Sequence, residues 1–426
     1  MKSLDQIAAE LQGYDPQALP AGAVNEFLAR LVEPVPQEEQ VPILDALGRV
    51  LSRDVVSPLS VPPHDNSAMD GYAFDGSQLT AAALRLQVVG TALAGQAWRG
   101  TVAPGQCVKI MTGAIMPDGL DTVVPQEFTK NVGDHAIEIP PGLLRAGDNR
   151  RLKGEDLMQG RPALLRGERL GPAAYGLLAS LGLPQAPVVR RLRVAYFSTG
   201  DEVLSVGEPP REGAIYDSNR YTVHGLLTRL GCEVVDLGVV RDEPALLEQA
   251  FRSAAARADA IITSGGVSVG EADYTKAMMR QLGDVAFWRI AMRPGRPMAV
   301  GRIAHEGRHA ILFGLPGNPV AVMVTFLAFV RPALLRMMGC RDTAPPPLLR
   351  ARSQEAMRKK PGRTEYQRGI VSTAPDGGLQ VRTTGNQGSG VLSSMVQANG
   401  LVVLHHGQGN IAPGDEVDVM VFEGVV

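Results

Sequence analysis

The feature that most constrains this fold is a regular alternation of apolar strands and amphipathic helices between Arg191 and Met338. Strands that alternate with helices form a mostly parallel sheet joined by right-handed crossovers. We therefore predict a central, doubly wound α/β domain at residues 191–341. The predicted strands are Arg193–Ser198, Glu233–Val240, Ala258–Ser264, Val285–Ile290, Met298–Val300 and Ala310–Phe313, and the predicted helices are Ser218–Leu230, Glu243–Arg257, Tyr274–Leu282 and Pro319–Met338.

The rest of the chain lacks this alternation, so the predicted fold class is α/β plus β in a multi-domain chain. Residues 61–141 contain short β-rich runs between glycine and proline turns, which predicts a small β domain. Residues 1–60 and 142–190 show helical periodicity and predict one discontinuous helical or linker domain. Residues 342–426 begin with a proline-rich linker and continue as short strands with glycine-rich turns, which predicts a C-terminal β-barrel.

Length, charge and cysteine usage limit the possible classes of protein. A chain of 426 residues is too long for one ordinary hydrophobic core, and its net charge of −2 provides no general attraction to nucleic acid or an anionic membrane. The three cysteines are scattered without a CxxC pair, which favours a reducing compartment. The early acid Asp5 argues against a signal peptide, and the apolar run Val320–Val330 is about half as long as a membrane span. We therefore expect a cytoplasmic protein.

Polar and glycine-rich residues follow several of the predicted strands of the α/β domain. In an open α/β sheet, ligands bind beyond the carboxyl ends of the strands. We therefore expect a binding site at this edge. The segments that would meet there are Ser198–Glu202, Arg241–Asp242, Thr263–Tyr274 and Gly314–Pro319.

Two of these segments have the composition of anion-binding loops. Backbone N–H groups of a glycine-rich loop can approach an anion, and a helix that begins behind it adds a favourable dipole. A glycine pair alone is more often a plain turn, but Asp273, nearby hydroxyls and the other strand ends favour a binding role. The proline-stiffened second segment suits either a second oxyanion or a rigid turn. The candidate residues are Ser264, Gly265, Gly266, Ser268 and Gly270 in the first segment, and Pro316, Gly317 and Pro319 in the second.

Three carboxylates, Glu202, Asp242 and Asp273, follow successive strands of the same sheet. Mg²⁺ prefers oxygen ligands and often bridges a phosphate, so this cluster is typical of a magnesium site. Helix capping is the alternative role, particularly for Asp242, which we place at the cap of the helix Glu243–Arg257. Both roles can coexist.

A basic group at Arg289, Arg293 and Arg296 is stiffened by two prolines. Planar guanidinium groups match the oxygens of a tetrahedral oxyanion, so this group indicates an oxyanion site; a solvated charged turn is the alternative. Two loops elsewhere, Asp65–Tyr72 and Gly154–Asp156, carry acids that are typical of a solvated surface when taken by themselves.

Taken together, the chain resembles the molybdopterin molybdenumtransferases, the family of the bacterial MoeA proteins and the E domain of gephyrin. The resemblance runs in family order from about residue 40 to the C-terminus. The motifs that carry it are Asp65–Tyr72, Met111–Ala114, Gly154–Asp156, Ser198–Glu202, Tyr216–Arg220, Ser264–Tyr274, Gly314–Pro319, Gln367–Gly369 and Gly385–Ser389.

The resemblance implies an L-shaped protein of four modules and usually a homodimer, with other proteins of cofactor biosynthesis as possible partners. It implies an α/β module that binds a pterin and resembles the adenylyltransferases of the same pathway. The implied reaction consumes adenylylated molybdopterin and molybdate, requires a divalent ion such as Mg²⁺, and yields molybdenum cofactor and AMP.

The resemblance also implies roles for particular residues. Glu202, Asp242 and Asp273 would bind the pterin, its phosphates and the metal. Asp70, Thr112 and Asp156 would lie in a cleft between the β module of one subunit and the α/β module of its partner. The residues that would bind molybdate and anchor the substrate are Arg289, Arg293, Pro316, Pro319, Arg368 and Ser389.

Two departures from the family pattern bear on these roles. Arg289 and Arg293 stand where many relatives carry lysine, which leaves the oxyanion geometry and the choice between molybdate and tungstate open. The first twenty or so residues match nothing in the family and predict amphipathic helices for packing or dimerisation.

Two other functions stay open from the sequence. A molybdopterin adenylyltransferase shares the α/β module but would need little more than residues 190–340. A non-catalytic pterin-binding scaffold is the second alternative, and the carboxylates Asp70, Asp156, Glu202, Asp242 and Asp273 argue against it.

Overall fold

The computed structural model describes residues 2–267 and 274–422. The chain divides into two compact units. The first comprises Met1–Arg53, Arg166–Tyr175 and Gln185–Val426, and the second comprises Asp54–Leu165 and Gly176–Pro184.

In the described ranges the helices are α1 Leu4–Ala9, α2 Ala21–Leu31, α3 Pro172–Ser180, α4 Ser218–Leu230, α5 Pro244–Arg257, α6 Tyr274–Leu282, α7 Pro319–Thr325, α8 Arg331–Met337 and α9 Ser393–Gln397. Strands in the N-terminal part are β1 Glu38–Pro42, β2 Val55–Val56, β3 Asn66–Ser67, β4 Gly71–Phe74, β5 Leu84–Ala92, β6 Gln106–Ile110, β7 Thr122–Pro125, β8 Lys130–Asn131, β9 Ala136–Ile139, β10 Arg150–Arg151, β11 Pro162–Leu164 and β12 Gln185–Val189. The later strands are β13 Arg193–Thr199, β14 Val203–Leu204, β15 Ile215–Tyr216, β16 Glu233–Val240, β17 Ala260–Ser264, β18 Gly283–Arg289, β19 Met292–Arg293, β20 Pro297–His305, β21 Arg308–Leu315, β22 Leu349–Ser353, β23 Thr364–Thr373, β24 Leu379–Thr383, β25 Gly400–Leu404 and β26 Glu416–Val421.

The first unit contains a six-stranded sheet in the order β16-β13-β17-β21-β20-β18. The first four strands run parallel, β20 runs antiparallel to β21, and β18 runs antiparallel to β20 and therefore in the direction of the first four. The sheet is mixed but mostly parallel, as predicted. The parallel register aligns Ser198 with Ser264 and Ser264 with Leu315. Three neighbouring strands therefore end at the same level of the sheet.

The sheet is buried on both faces. Tyr196, Ile262 and Phe313 join one core cluster with α4 and the helices that follow β21. The adjacent residues Phe197 and Ile261 join a second cluster with α5 and α6. Because successive strand residues point to opposite faces, this alternation places a helical layer on each side, as a doubly wound fold requires.

The ends of α4 and α5 show how local sequence sets the helix boundaries. In α4, the Asp217 side chain accepts a hydrogen bond from the Arg220 N–H, and Gly231 ends the helix in the left-handed conformation with φ 91°, as predicted. In α5 the N-cap is Glu243 rather than Asp242, so the predicted capping role of Asp242 is wrong. Pro244 favours the first helical position, which makes the residue before it the cap.

The predicted helix from residue 319 to 338 is continuous but not uniform. Residues Phe326–Val330 have π-helical geometry between α7 and α8. Pro332 cannot donate a backbone hydrogen bond within a helix, and the π turn ends two residues before it. The run Pro319–Met337 is apolar and long enough to cross a membrane, but 72% of its most apolar window is buried inside the protein. It is the core helix that the sequence predicts.

The N-terminal segment packs on the α/β core. Ile7, Phe27 and Leu28 are fully or almost fully buried in the same cluster as Trp288. The phenyl ring of Phe27 contacts the Trp288 indole edge-on, with 4.9 Å between ring centroids. Within the first twenty residues, the predicted packing helix is present as the short helix α1, and α2 follows directly after them.

The C-terminal strands of the first unit form the predicted barrel. The order β23-β24-β22-β26-β25 closes because β25 also pairs with β23. Some barrel side chains point away from the barrel interior and pack in the core cluster of the α/β sheet; they are Tyr366, Leu401 and Val403. This packing holds the barrel loops near that sheet.

The second unit contains the predicted small β domain. Its six-stranded sheet has the order β7-β4-β6-β5-β9-β8. Adjacent residues of this sheet again pack in different core clusters: in β4, Ala73 belongs to one hydrophobic cluster and Phe74 to another. The four-domain division of the chain stays a prediction.

Candidate functional site

A cavity of about 960 Å³ lies at the carboxyl ends of the parallel strands. Its lining comes from the α/β sheet, from the turn after β19 and from a barrel loop. The predicted residues that line it are Glu202, Asp242, Ser264, Gly265, Gly266, Arg293, Pro316, Gly317, Pro319 and Ser389. The structure therefore brings residues that are far apart in the chain together at this edge of the sheet.

Three hydroxyl groups meet at the floor of this cavity. The Tyr196 hydroxyl lies 2.8 Å from Ser198 Oγ and 2.7 Å from Ser264 Oγ, and the two serine oxygens are 3.1 Å apart. Burial, with a smaller contribution from the nearby Asp217 carboxylate, raises the pKa of Tyr196. The tyrosine therefore remains protonated and neutral at physiological pH, and the group can orient Ser198 and Ser264 as hydrogen-bond donors.

Gly265 permits the close turn after β17. It has a φ of +92°, and a Cβ atom at this position would lie 2.5 Å from the Thr199 carbonyl oxygen. A larger residue would be strained and would push the turn away from β13. The glycine thus keeps the loop backbone at the cavity wall, where N–H groups are useful for an anion.

Two helices begin at the cavity. Ser218 and Asn219 are in the first turn of α4, and the Asn219 Nδ2 atom donates to the Gly317 carbonyl oxygen at 2.7 Å. The helical run that starts at Pro319 begins beside them. Positive helix dipole ends and exposed N–H groups favour phosphate or another anion at this place.

Two of the three predicted carboxylates line the cavity. The Glu202 carboxylate packs over Gly200, where a Cβ atom would meet its Oε2 at 2.7 Å, and Asp242 follows β16. Asp273, Ser268 and Gly270 lie outside the described residues. No group of three or more metal-ligating side chains occurs in residues 2–267 and 274–422. The oxygen donors Glu202 and Asp242 nevertheless fit Mg²⁺, which often takes one or two protein carboxylates and completes its shell with phosphate and water.

The cationic side of the cavity is formed by Arg293 and Arg296. Arg293 belongs to β19, which pairs with β23 of the barrel and sets Arg293 opposite Glu365. Arg289, four residues earlier, ends β18; its side chain is exposed and it is not part of the cavity lining. The structure thus brings two of the three predicted arginines to the cavity.

Arg368 lies behind the barrel loop rather than on its surface. Its side chain is fully buried and donates to Ser394 Oγ and to the carbonyl oxygens of Asn386, Gln387 and Gly388. Burial, assisted by the nearby Arg293 charge, lowers the pKa of Arg368 to about 10. Its hydrogen bonds to the three carbonyl oxygens hold the loop that presents Ser389 to the cavity.

A smaller cavity of about 260 Å³ adjoins the first one and shares Arg293, Pro294 and Gln387 with it. Arg368 and Glu365 lie in its wall. The Glu365 carboxylate is buried and paired with Arg363 at 2.7 Å. The arginine-rich side of the site therefore extends toward the barrel.

Asp70, Thr112 and Asp156 belong to the second unit. Asp70 Oδ1 accepts hydrogen bonds from the Thr112 N–H at 2.7 Å and the Thr112 hydroxyl at 2.8 Å. These bonds, the backbone one first, lower the pKa of the exposed Asp70 carboxyl. Asp156 is also exposed. The pair Asp70–Thr112 therefore presents an ionised carboxylate in a fixed orientation.

The cavity also contains two residues that the strand-end prediction did not include, Asp217 and Asn219. Ser198 and Thr199, from the predicted segment Ser198–Glu202, line it as well. Asp217 and Asn219 belong to a motif that we noted at the start of α4. Their position at a helix start beside a strand end is the signal that identifies them.

This fold and cavity define an α/β protein with arginines, carboxylates and helix starts around one cavity, with an added barrel and an added β domain. Family models match most of the chain: the MoeA N-terminal region (domain I and II) at residues 21–182, a probable molybdopterin binding domain at 195–336, and the MoeA C-terminal region (domain IV) at 350–422. The chain belongs to the molybdopterin molybdenumtransferase family, a family of transferases.

Similar proteins match over nearly their full length. The molybdopterin molybdenumtransferase of Haemophilus influenzae is 40% identical over 402 residues, which cover 94% of this chain and 98% of that protein. The enzyme of the same name from Nostoc is 35% identical and covers 96% of this chain, with 95% of that protein matched. The crystal structure of the molybdopterin biosynthesis MoeA protein from Pyrococcus horikoshii OT3 has a TM-score of 0.79 at 26% identity, covering 95% of this chain and 100% of that chain.

Proposed function

We propose that this protein inserts molybdate into the dithiolene of adenylylated molybdopterin and releases AMP. The observation that carries the proposal is a single cavity that combines Arg293 and Arg296 with Glu202 and Asp242. Both substrates are anions, so a site that joins them needs cationic groups for one and a metal-binding carboxylate cluster for the other. The relatives named above support the same reaction class.

The cationic side would bind molybdate. Arg293 and Arg296 provide guanidinium donors that match tetrahedral oxygens. Ser389, Pro316 and Pro319 line the same space. Arg368 would act by fixing the loop of Ser389. Together these groups would hold molybdate in place before the dithiolene sulfurs reach it.

The other side would bind the pterin and its pyrophosphate. Backbone N–H groups at Gly266 and Gly317 and the two helix starts favour the phosphates. We propose that Glu202, Asp242 and Asp273 hold Mg²⁺, with Ser268 and Gly270 in the same glycine-rich loop. Mg²⁺ supplies charge neutralisation at a pyrophosphate when bound. Glu202 or Asp242 would orient the water or molybdate oxygen that displaces AMP.

We also propose a cytoplasmic homodimer in which Asp70, Thr112 and Asp156 of one subunit complete the cavity of its partner. The fixed and exposed carboxylate of Asp70 supports this role. Other proteins of cofactor biosynthesis are candidate transient partners. The division into residues 1–60 with 142–190, 61–141, 191–341 and 342–426 belongs to the same proposal.

The test is to mix purified protein with adenylylated molybdopterin, Mg²⁺ and molybdate. We expect molybdate-dependent release of AMP. Formation of adenylylated molybdopterin from ATP and molybdopterin would instead identify an adenylyltransferase. Binding of the pterin without turnover would identify a scaffold, and either result would contradict the proposal.

A further inference from the structure

The N-terminal extension contacts the strand that leads into the oxyanion site. Residues 2–20 precede the first region matched by the family models, which begins at residue 21. Within this extension, Leu19 forms a parallel bridge with Ile290, the residue after β18. Ile290 lies three residues before Arg293. The extension is therefore bound close to a cationic side chain of the cavity.

The contact is made by backbone groups on both sides of Ile290. The Arg289 N–H donates to the Pro16 carbonyl oxygen at 2.7 Å, and the Arg289 carbonyl oxygen accepts from the Leu19 N–H at 3.1 Å. The Ala291 N–H donates to the Leu19 carbonyl oxygen at 2.8 Å. Three backbone bonds within three residues fix the path of the chain as it leaves the sheet.

Other bonds transmit this constraint to the arginines. The Ile290 N–H donates to the Arg296 carbonyl oxygen at 2.7 Å, which closes the turn containing Arg293. The Ala291 carbonyl oxygen accepts from the Thr364 N–H of the barrel at 2.9 Å. The turn that carries the cationic groups is thus held by the extension on one side and by the barrel on the other.

Side chains of the extension reinforce the contact. The Trp288 indole N–H donates to the Tyr14 hydroxyl at 2.8 Å, and the Tyr14 ring stacks on Phe27 with 6.1 Å between centroids. Asp15 Oδ1 accepts from the Gln17 N–H at 2.8 Å and shapes the turn between Tyr14 and Leu19. Leu19 itself is fully buried.

We propose that residues Tyr14–Leu19 position Arg293 and Arg296 and thereby set the affinity of the cavity for its oxyanion. The inference rests on the proposed function for the identity of that oxyanion, molybdate. The other side of the cavity, at α4 and Gly265, takes part in none of these hydrogen bonds with the N-terminal extension. The extension should therefore affect the affinity for molybdate and leave the affinity for the adenylylated pterin unchanged.

The experiment compares full-length variants by calorimetric titration with molybdate and, separately, with adenylylated molybdopterin. Leu19→Pro removes the N–H that donates to Arg289, and we expect about tenfold weaker molybdate binding, the loss associated with one hydrogen bond and a displaced charge. Asp15→Ala removes the exposed side-chain oxygen that accepts from the Gln17 N–H, and it should weaken molybdate binding about threefold. In turnover assays, KM for molybdate should rise while kcat stays constant.

Two variants serve as controls. Asp15→Asn keeps an oxygen that can accept from Gln17 and should bind molybdate as the wild type does. Glu10→Gln lies in the same extension and changes the exposed ion pairs with Lys2 and Arg30. It should leave both affinities unchanged.

The outcomes separate this inference from the proposed function. If the wild type binds no molybdate, the proposed function fails first. If the wild type binds molybdate and the folded Leu19→Pro and Asp15→Ala variants bind it equally well, the positioning role is wrong. An equal loss of molybdate and pterin affinity would also overturn it. Should Leu19→Pro fail to fold, Asp15→Ala with Asp15→Asn decides the question.

Discussion

The buried guanidinium of Arg368 donates a hydrogen bond to the carbonyl oxygen of Gly388 at 2.9 Å. Gly388 precedes Ser389 on the barrel loop that lines the cavity. The same guanidinium also bonds the carbonyl oxygens of Asn386 and Gln387. A buried side chain that does not line the cavity therefore holds one of its walls.

Replacement of this side chain should destabilise the barrel. In Arg368→Met, the carbonyl groups of Asn386, Gln387 and Gly388 lose their donor, and we expect the free energy of unfolding to fall by about 3 kcal/mol. Urea denaturation measures this change. Arg382→Met makes the same substitution at an exposed position of β24 and should change stability by less than about 0.5 kcal/mol. Equal stability of the two variants would show that the buried bonds contribute little.

Arg293 should determine the affinity for molybdate. Arg293→Ala removes a charged fork from the cavity, so KM for molybdate should rise about a hundredfold. Arg293→Lys keeps the charge but not the planar geometry, and the rise should be about tenfold. Initial rates of AMP release at varied molybdate provide the test. Arg308→Ala, exposed at the far end of the same sheet, is the control, and a similar KM for all four proteins would contradict the oxyanion role.

Glu202 should act on turnover rather than on molybdate binding. Glu202→Gln removes a carboxylate from the proposed metal site, and kcat for AMP release should fall about a hundredfold or more. Calorimetry should show unchanged affinity for molybdate. Glu212→Gln, on an exposed part of the following loop, should have wild-type turnover. A Glu202→Gln variant with normal kcat would argue against the metal site.

Two inactive variants should restore each other if the site is shared between subunits. Asp70→Asn and Asp242→Asn alter residues of different units. In a mixed dimer, one of the two sites regains both wild-type residues, so random reassociation gives about a quarter of the wild-type activity. The assay is AMP release after the variants are dissociated together and refolded. Activity no higher than that of the separate variants would indicate a site within one subunit or a monomer.

The three cysteines should react slowly with alkylating reagents in the folded protein. Burial raises the pKa of Cys107 and of Cys232 to about 12, and that of Cys340 to about 11. At pH 8 the folded thiols are therefore almost entirely protonated, whereas thiols of the unfolded chain ionise near their usual pKa. Mass spectrometry after iodoacetamide treatment should show faster labelling in urea than in buffer. Equal rates would mean that the thiols are accessible in the folded state.

The sequence predicted the parallel strands of the α/β domain closely because buried parallel strands are nearly continuous apolar runs. The helices between them were predicted equally closely. The bounds of α4 and α6 agree with the prediction, and Gly231 ends α4 as expected. The π turn at Phe326–Val330 was not predicted, because it depends on how the helix accommodates Pro332 within the core. Asp242 was assigned a capping role one residue away from the observed N-cap, Glu243.

The site was predictable where it follows from strand ends and not where it depends on packing between distant segments. Glu202, Ser264 and Pro316 lie where the strand-end rule put them. Arg368 shows the limit, because arginine is normally a surface residue and only the folded barrel reveals that its guanidinium is buried. The contact of Leu19 with Arg289 uses backbone groups, which leave no signal in side-chain patterns.

The wall formed by Gly388, Ser389 and Gly390 has a consequence for the order of events during synthesis. The ribosome makes the sheet before it makes this loop, so a nascent chain can assemble its strands while its pocket is still open on one side. Competence to capture the pterin and the oxyanion together would then arise only when the barrel closes.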